Sequence, residues 1–224
     1  MPSDSPTIMG YGQARTTTGA VAALAIFLLD LSPADMARRL DEALAVYVDA
    51  MRYPRGTESQ RASMWLEHTR RRGWRAVAAV DTDGDWAGGP LPDDGVLAAS
   101  RLIGVAYGYC GAPDQWWQQQ VVRGLRRVGF PTAEITRLMN NYFELTELHI
   151  ASRAQGRGLG EALLRRLLSG REEAHVLLST PEINDEANRA WRLYRRLGFY
   201  DVIRGYHFAG DPRAFAILGR TLPL

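Results

Sequence analysis

The sequence predicts an α/β fold of about six or seven strands interleaved with helices. Three observations carry this. Strand-like apolar runs alternate with amphipathic helical stretches along most of the chain. A glycine-rich turn at residues 155–160 joins a strand to a helix, and a later helix closes on Gly198 directly before another strand. The 224 residues, 46% hydrophobic and 23% charged, suffice for one substantial core.

Residues 1–18 are rich in Ser, Thr, Gly and Pro and lack hydrophobic periodicity, so they are expected to form a flexible tail, leaving 19–224 as one folded domain. The apolar run 21–29 falls short of the roughly 20 residues a membrane-spanning helix needs and reads as a buried strand. Only Arg15 is basic before it and Asp30-Leu31-Ser32 follows, which is not the layout of a secretory signal. Ser32 and Pro33 then supply an N-cap and a first-turn proline. Met36, Leu40, Leu44 and Val48 recur at helical spacing, predicting one helix up to Pro54.

Thr57 with Gln60 reads as a capping box opening a second helix, with Met64, Trp65 and His68 on one face and an end near Gly73. His68 reads as a packing residue. Strands are expected at 75–80 and 102–109, separated by an Asp-, Gly- and Pro-rich turn at 81–95. There Asp81, Asp83 and Asp85 have calcium-loop spacing, but Trp86 occupies the position that requires glycine, so a polar loop is the reading. Residues 114–141 read as helix interrupted at Pro131, and 142–150 as a strand. Helix at 159–168, strand at 176–179, helix at 187–197 and strands at 199–207 and 215–222 complete the pattern.

The charge balance, 27 basic against 25 acidic residues for a net +2, carries no nucleic-acid footprint and no membrane-binding surface. Every basic residue is Arg. Without Lys there is no Walker-type phosphate loop. Cys110 is the single cysteine, which excludes an intrachain disulfide and a tetrahedral cysteine zinc site; no metal is expected, and a reducing, cytoplasmic setting fits. The sequence leaves room for a homodimer.

The chemistry concentrates in Gln155-Gly156-Arg157-Gly158-Leu159-Gly160, followed by a helix with Leu159, Ala162, Leu163 and Leu167 on one face. A strand-to-helix glycine turn presents unpaired amides and the positive end of a helix dipole, a setting suited to a pyrophosphate without any Lys. The Rossmann fingerprint fails, because it requires Gly at position 161, which is Glu161. Downstream, Leu193-Tyr194-Arg195-Arg196-Leu197-Gly198-Phe199 ends a helix whose packed face holds Ala187, Ala190, Trp191, Tyr194 and Leu197.

These two motifs, in this order and spacing, resemble those of the GNAT superfamily of N-acetyltransferases. Its pyrophosphate signature Q/R-x-x-G-x-G/A is matched by Gln155, Gly158 and Gly160, and its L-Y-x-x-L-G-F hallmark by residues 193–199. The resemblance is dense over 142–206. It departs at 111–141, where about thirty residues replace the family's short connection, and these read as a helical insertion between the third and fourth strands near the acceptor side.

The resemblance implies a mixed central sheet of about six or seven strands with helices on both faces and a splay between the fourth and fifth strands. The pantetheine arm of acetyl-CoA would pair there with the main chain of Leu148, His149 and Ile150. The pyrophosphate would rest on Gln155, Gly156, Arg157, Gly158, Leu159, Gly160 and Glu161. It also implies direct attack on the thioester by a primary amine, whether a protein lysine, a protein N-terminus or a small-molecule amine. The base is open between Glu144, which shares a strand face with Thr146, Leu148 and Ile150 and has the spacing to Gln155 of histone-type members, and Glu147 on the opposite face. Tyr194 matches the tyrosine beside the thioester sulfur that protonates the departing thiolate.

Asn188 matches the pantetheine-binding Asn displaced by one position: Ala187 stands at the family's place, Asn184 lies farther off, and a helix-cap role competes. Trp116, Trp117, Arg123, Arg126, Arg127 and Arg137 could grip an acidic or flat acceptor, or form a solvated helix with a packed apolar face. An acyl-CoA-binding sensor or interaction module without turnover is the reading from another class; it needs the glycine turn but neither Glu144 nor Tyr194.

Overall fold

The computed structural model describes residues 25–82, 92–182 and 188–224. The expected tail, Asp83, Asp85, Asn184 and Ala187 lie outside the described residues. The chain runs β1(Ile26–Leu31), α1(Pro33–Arg38), α2(Leu40–Met51), α3(Thr57–His68), β2(Arg75–Asp81), α4(Asp94–Ala99), β3(Arg101–Cys110), α5(Trp116–Arg127), α6(Thr132–Met139), β4(Tyr142–Ile150), α7(Leu159–Leu168), β5(His175–Pro181), α8(Arg189–Arg196), β6(Tyr200–Tyr206) and β7(Phe215–Thr221). A 3-10 turn, Ser152–Ala154, precedes α7.

The strands form one seven-stranded mixed sheet in the order β1-β2-β3-β4-β5-β7-β6. β1 and β2 are antiparallel, as are β5 and β7 and β6 and β7, whereas β4 and β5 run parallel. A parallel pair needs a crossover, and α7 supplies it. The chain's contacts resolve into two compact units, the first comprising 1–70, 75–107 and 147–167, the second 71–74, 108–146 and 168–224.

In the first unit the predicted long helix is two helices. Ser32 caps α1 through a capping box with Asp35, the Asp35 amide donating to Ser32 Oγ at 3.1 Å and the Ser32 amide to Asp35 Oδ2 at 2.9 Å. The helix then breaks at Arg39, whose buried guanidinium donates to Glu42 and, at 2.6 Å, to the Ser100 carbonyl. Periodicity cannot show that distant acceptor. Met36, Leu40, Leu44 and Val48 are all buried, as their spacing predicts.

The expected capping box of Thr57 and Gln60 is absent. Gly56, at φ +94°, is the N-cap, its amide donates to Glu58 Oε2 at 2.6 Å, and the Thr57 hydroxyl is drawn back to the Pro54 carbonyl at 2.7 Å. His68 is buried, its Nδ1 3.0 Å from the Tyr107 hydroxyl. α4, inside and after the segment read as a turn, escapes pattern reading because it is one and a half turns long; Asp93 caps it by accepting from the Val96 amide at 2.8 Å.

In the second unit the insertion is helical, with Pro131 as N-cap of α6. Trp117, Val121, Leu125, Ile135 and Met139 join Leu177, Val202, Ile203, Tyr206 and Ile217 in a single core, so the apolar face of α5 packs on the sheet. Trp117 is therefore a core residue, its indole donating to Ser179 Oγ at 3.2 Å. Arg127 covers the Tyr206 ring, while Arg123 and Arg126 are exposed. No helix among the described residues is long and apolar enough to cross a membrane.

An ionic cluster ties this unit together. Arg171 donates to Glu173 through Nε at 2.9 Å and through Nη2, and to the Gly73 carbonyl at 3.1 Å, while the Cys110 thiol donates to Glu173 at 3.1 Å. Burial opposes ionisation of Glu173, but the bonds from Arg171 and Cys110 outweigh it and hold the carboxyl down at about 2, against an ordinary 4.5. A depressed carboxyl stabilises the fold above its unfolded value and loses that contribution as pH falls through the folded one. Arg171→Ala should therefore lower Tm at neutral pH and flatten the fall in Tm between pH of about 4.5 and about 2, as read by thermal unfolding at a series of pH values.

Candidate active site

Three features in the first unit shape the glycine turn. The chain leaves β4 with the Ala151 amide on the Ile103 carbonyl at 2.8 Å, and the Ser152 amide donates to Asp49 Oδ2 at 2.6 Å. Gln155 folds back and donates its side-chain amide to the Ile150 carbonyl at 3.0 Å, fastening the turn to the strand it leaves. Gly156 and Gly158 then take φ of +82° and +80°, with nothing within 4 Å of where a Cβ would stand.

Both the backbone conformation and the open space need glycine there. α7 starts at Leu159, and the first turn of a helix directs its backbone amides outward from the helix start. Together with the helix dipole they favour a phosphate-type anion. The Glu161 carboxylate is turned along the helix to Arg165 at 2.9 Å, and Arg157 is exposed.

β4 and β5 pair only at Tyr142 with His175, Phe143 with Val176 and Glu144 with Leu177. Beyond Glu144 the ladder ends, although β4 continues in strand conformation through Leu148, His149 and Ile150. That is the splay. On the face of β4 opposite Glu144, Glu147 Oε2 lies 2.5 Å from His149 Nε2, and the His149 ring meets Tyr47 edge-on at 5.0 Å. The Tyr47 hydroxyl is pushed up to about 12, by burial first, so it keeps its proton near neutrality.

Glu144, the last paired residue, is buried in the second unit. Its Oε1 accepts from the Tyr109 hydroxyl at 3.3 Å. Tyr142, on its own strand, donates to Gln118 Oε1 at 3.0 Å. Both phenols are pushed upward, by burial first and then by the Glu144 charge. Tyr194 is buried on α8 with its ring 5.4 Å from that of Phe199. Asn188 is the N-cap of α8, its Oδ1 accepting from the Ala190 amide at 2.9 Å.

An acetyltransferase (GNAT) domain model matches residues 100–201. The GCN5-like protein acetyltransferase Rv2170 of Mycobacterium tuberculosis is 71% identical over 206 residues, covering 90% of this chain and all of that protein. The chain belongs to the GNAT acetyltransferase family. Among solved structures, Arabidopsis thaliana NAA60 in complex with acetyl-CoA superposes with a TM-score of 0.54 at 18% identity, covering 88% of this chain and 98% of that one. A GNAT-family acetyltransferase from Bacillus cereus does so at 0.50 and 14% identity, covering 88% and 96%. At these identities the structures speak for the fold alone.

This GNAT acetyltransferase thus has its sequence-predicted residues in two groups. The glycine turn and the main chain of 148–150 belong to the first unit, and Glu144, Asn188 and Tyr194 to the second. The positive φ of Gly156 and Gly158 matches the glycine reading of the turn. The Glu147–His149 contact, Tyr109 and Arg71 were not visible in the sequence. Strand alternation puts 147 and 149 on one face and could have flagged the first. The place of Tyr109 depends on the register between β3 and β4, which the intervening insertion hides, and that of Arg71 on how the turn before β2 meets β3.

Proposed function

We propose that this enzyme transfers the acetyl group of acetyl-CoA to a primary amine of a protein by direct attack on the thioester, with Glu144 as the base. The observation that carries the reading is the position of Glu144: a buried carboxylate at the residue where β4 and β5 part, held by a phenol that stays protonated. The open glycine turn at 156–158 fits a diphosphate, and NAA60, which shares the fold, is a protein seen with acetyl-CoA. The name of the 71% identical relative, a protein acetyltransferase, favours a protein amine as acceptor over a small-molecule one.

The steps balance as follows. Glu144 removes a proton from the ammonium, the free amine attacks the thioester carbonyl, the carbon–sulfur bond breaks, Tyr194 gives its proton to the departing thiolate, and the second proton of the acylated nitrogen returns to the Tyr194 phenolate, leaving the neutral amide. The main chain of Leu148, His149 and Ile150 aligns the pantetheine arm as an added strand would. The amides of 155–161 hold the diphosphate, and Asn188 contributes to the arm from the start of α8. Residues 19–224 work as one catalytic domain in a reducing cytoplasm, matched over nearly its whole length by the relative.

Tyr194→Phe is the test of the acid. It should lower kcat by about tenfold to a hundredfold while calorimetry finds CoA affinity unchanged. An unaltered kcat would remove Tyr194 from the reaction.

A further inference from the structure

Burial favours the protonated form of a carboxyl, and a base that already holds its proton cannot take another. Two groups of this unit bear on that balance. Tyr109, on β3, donates its hydroxyl to Glu144 Oε1 at 3.3 Å. Arg71, in the turn before β2, places Cζ 4.7 Å from the centre of the Tyr109 ring, over the face that attracts a cation. The Thr146 hydroxyl donates to the backbone carbonyl of Glu144 at 3.4 Å.

The backbone is shaped for this approach. A Cβ at Gly108 would stand 2.1 Å from the Glu144 carbonyl oxygen, so a glycine beside Tyr109 lets the strands close. Tyr109 on β3 and Tyr142 on β4 both feel the charge of Glu144, and the charge of Arg71 acts on both phenols against the effect of burial.

We propose that Tyr109 and Arg71 are positioning residues for Glu144, the phenol aiming the carboxylate through its hydrogen bond and the stacked guanidinium supplying the positive charge that keeps it ionised. The consequence for catalysis rests on Glu144 being the base; the electrostatic arrangement does not.

The test is a titration of Glu144 by NMR, with carbon-13 in the glutamate carboxyls and the signal assigned by its loss in Glu144→Gln. Tyr109→Phe and Arg71→Gln each remove a stabiliser of the carboxylate, so the midpoint should rise by about one pH unit in each, and Arg71→Lys should restore it. The acid limb of kcat/KM with a lysine-containing peptide should move with it, giving about a tenfold loss at a fixed pH on that limb. Because Arg71 is only half-buried, its variants report the effect even where Tyr109→Phe loosens the core. Identical Glu144 titrations in wild type, Arg71→Gln and Tyr109→Phe would overturn the proposal. A raised midpoint with an unmoved acid limb would leave the positioning pair standing and remove Glu144 as the base.

Discussion

Glu144→Gln is expected to lower kcat by about two to four orders of magnitude while leaving the affinity for acetyl-CoA within about threefold. The amide keeps an oxygen to accept from Tyr109 and fills the same volume, but it cannot take a proton from an ammonium. Because the side chain is buried, an ionised carboxylate there costs stability, so the variant should be at least as resistant to heat as the parent. Loss of turnover thus separates from loss of fold. Thiol release at saturating donor, calorimetry with CoA and a melting curve on the same samples check the three parts. The parallel variant Glu147→Gln removes the carboxylate charge beside His149; were it to carry the large loss instead, the base would be the Glu147–His149 pair.

The second large effect is at the glycine turn. Gly158→Val places a β-branched residue at φ +80°, which costs on the order of 1–3 kcal/mol of strain, and fills the open space beside the first amides of α7. The KM for acetyl-CoA should rise by about thirtyfold or more, with kcat at saturating donor changed far less, because the turn binds the part of the donor remote from the reacting carbon. Gly158→Ala should fall between. A kcat loss without a KM change would assign the turn to the reacting end of the donor and contradict its role as a diphosphate site.

Much of this was legible in the sequence, and the reasons can be traced to single residues. The turn at 155–160 could be read because glycine is the residue that positive φ selects, and Gly156 and Gly158 both adopt it. The end of α8 could be read because Gly198, at φ +77°, is the glycine that terminates it. The bounds of β4 and α7 matched as predicted because apolar periodicity changes sharply at 150 and 159.

What stayed hidden depends on partners far along the chain. Arg39 breaks a helix because the Ser100 carbonyl, 61 residues away, accepts from it. Tyr109 meets Glu144 across 35 residues, through a register that no local pattern records. The Arg residues of α5 illustrate the opposite case. Their helix was read either as a grip on an acceptor or as a solvated helix with a packed apolar face, and the packed face is there, with Trp117 in the core and Arg123 and Arg126 exposed.

The most direct measurement is transfer itself, using acetyl-CoA with a heavy-isotope acetyl group and a library of peptides that each carry one lysine and a free α-amine. The chain contains no Lys, so every heavy acetyl-lysine found by mass spectrometry lies on a substrate. The account predicts heavy acetyl on peptide amines in step with CoA release, with the rate falling by about two to four orders of magnitude in Glu144→Gln. Peptide labelling equal in wild type, Glu144→Gln and the enzyme-free control would contradict it.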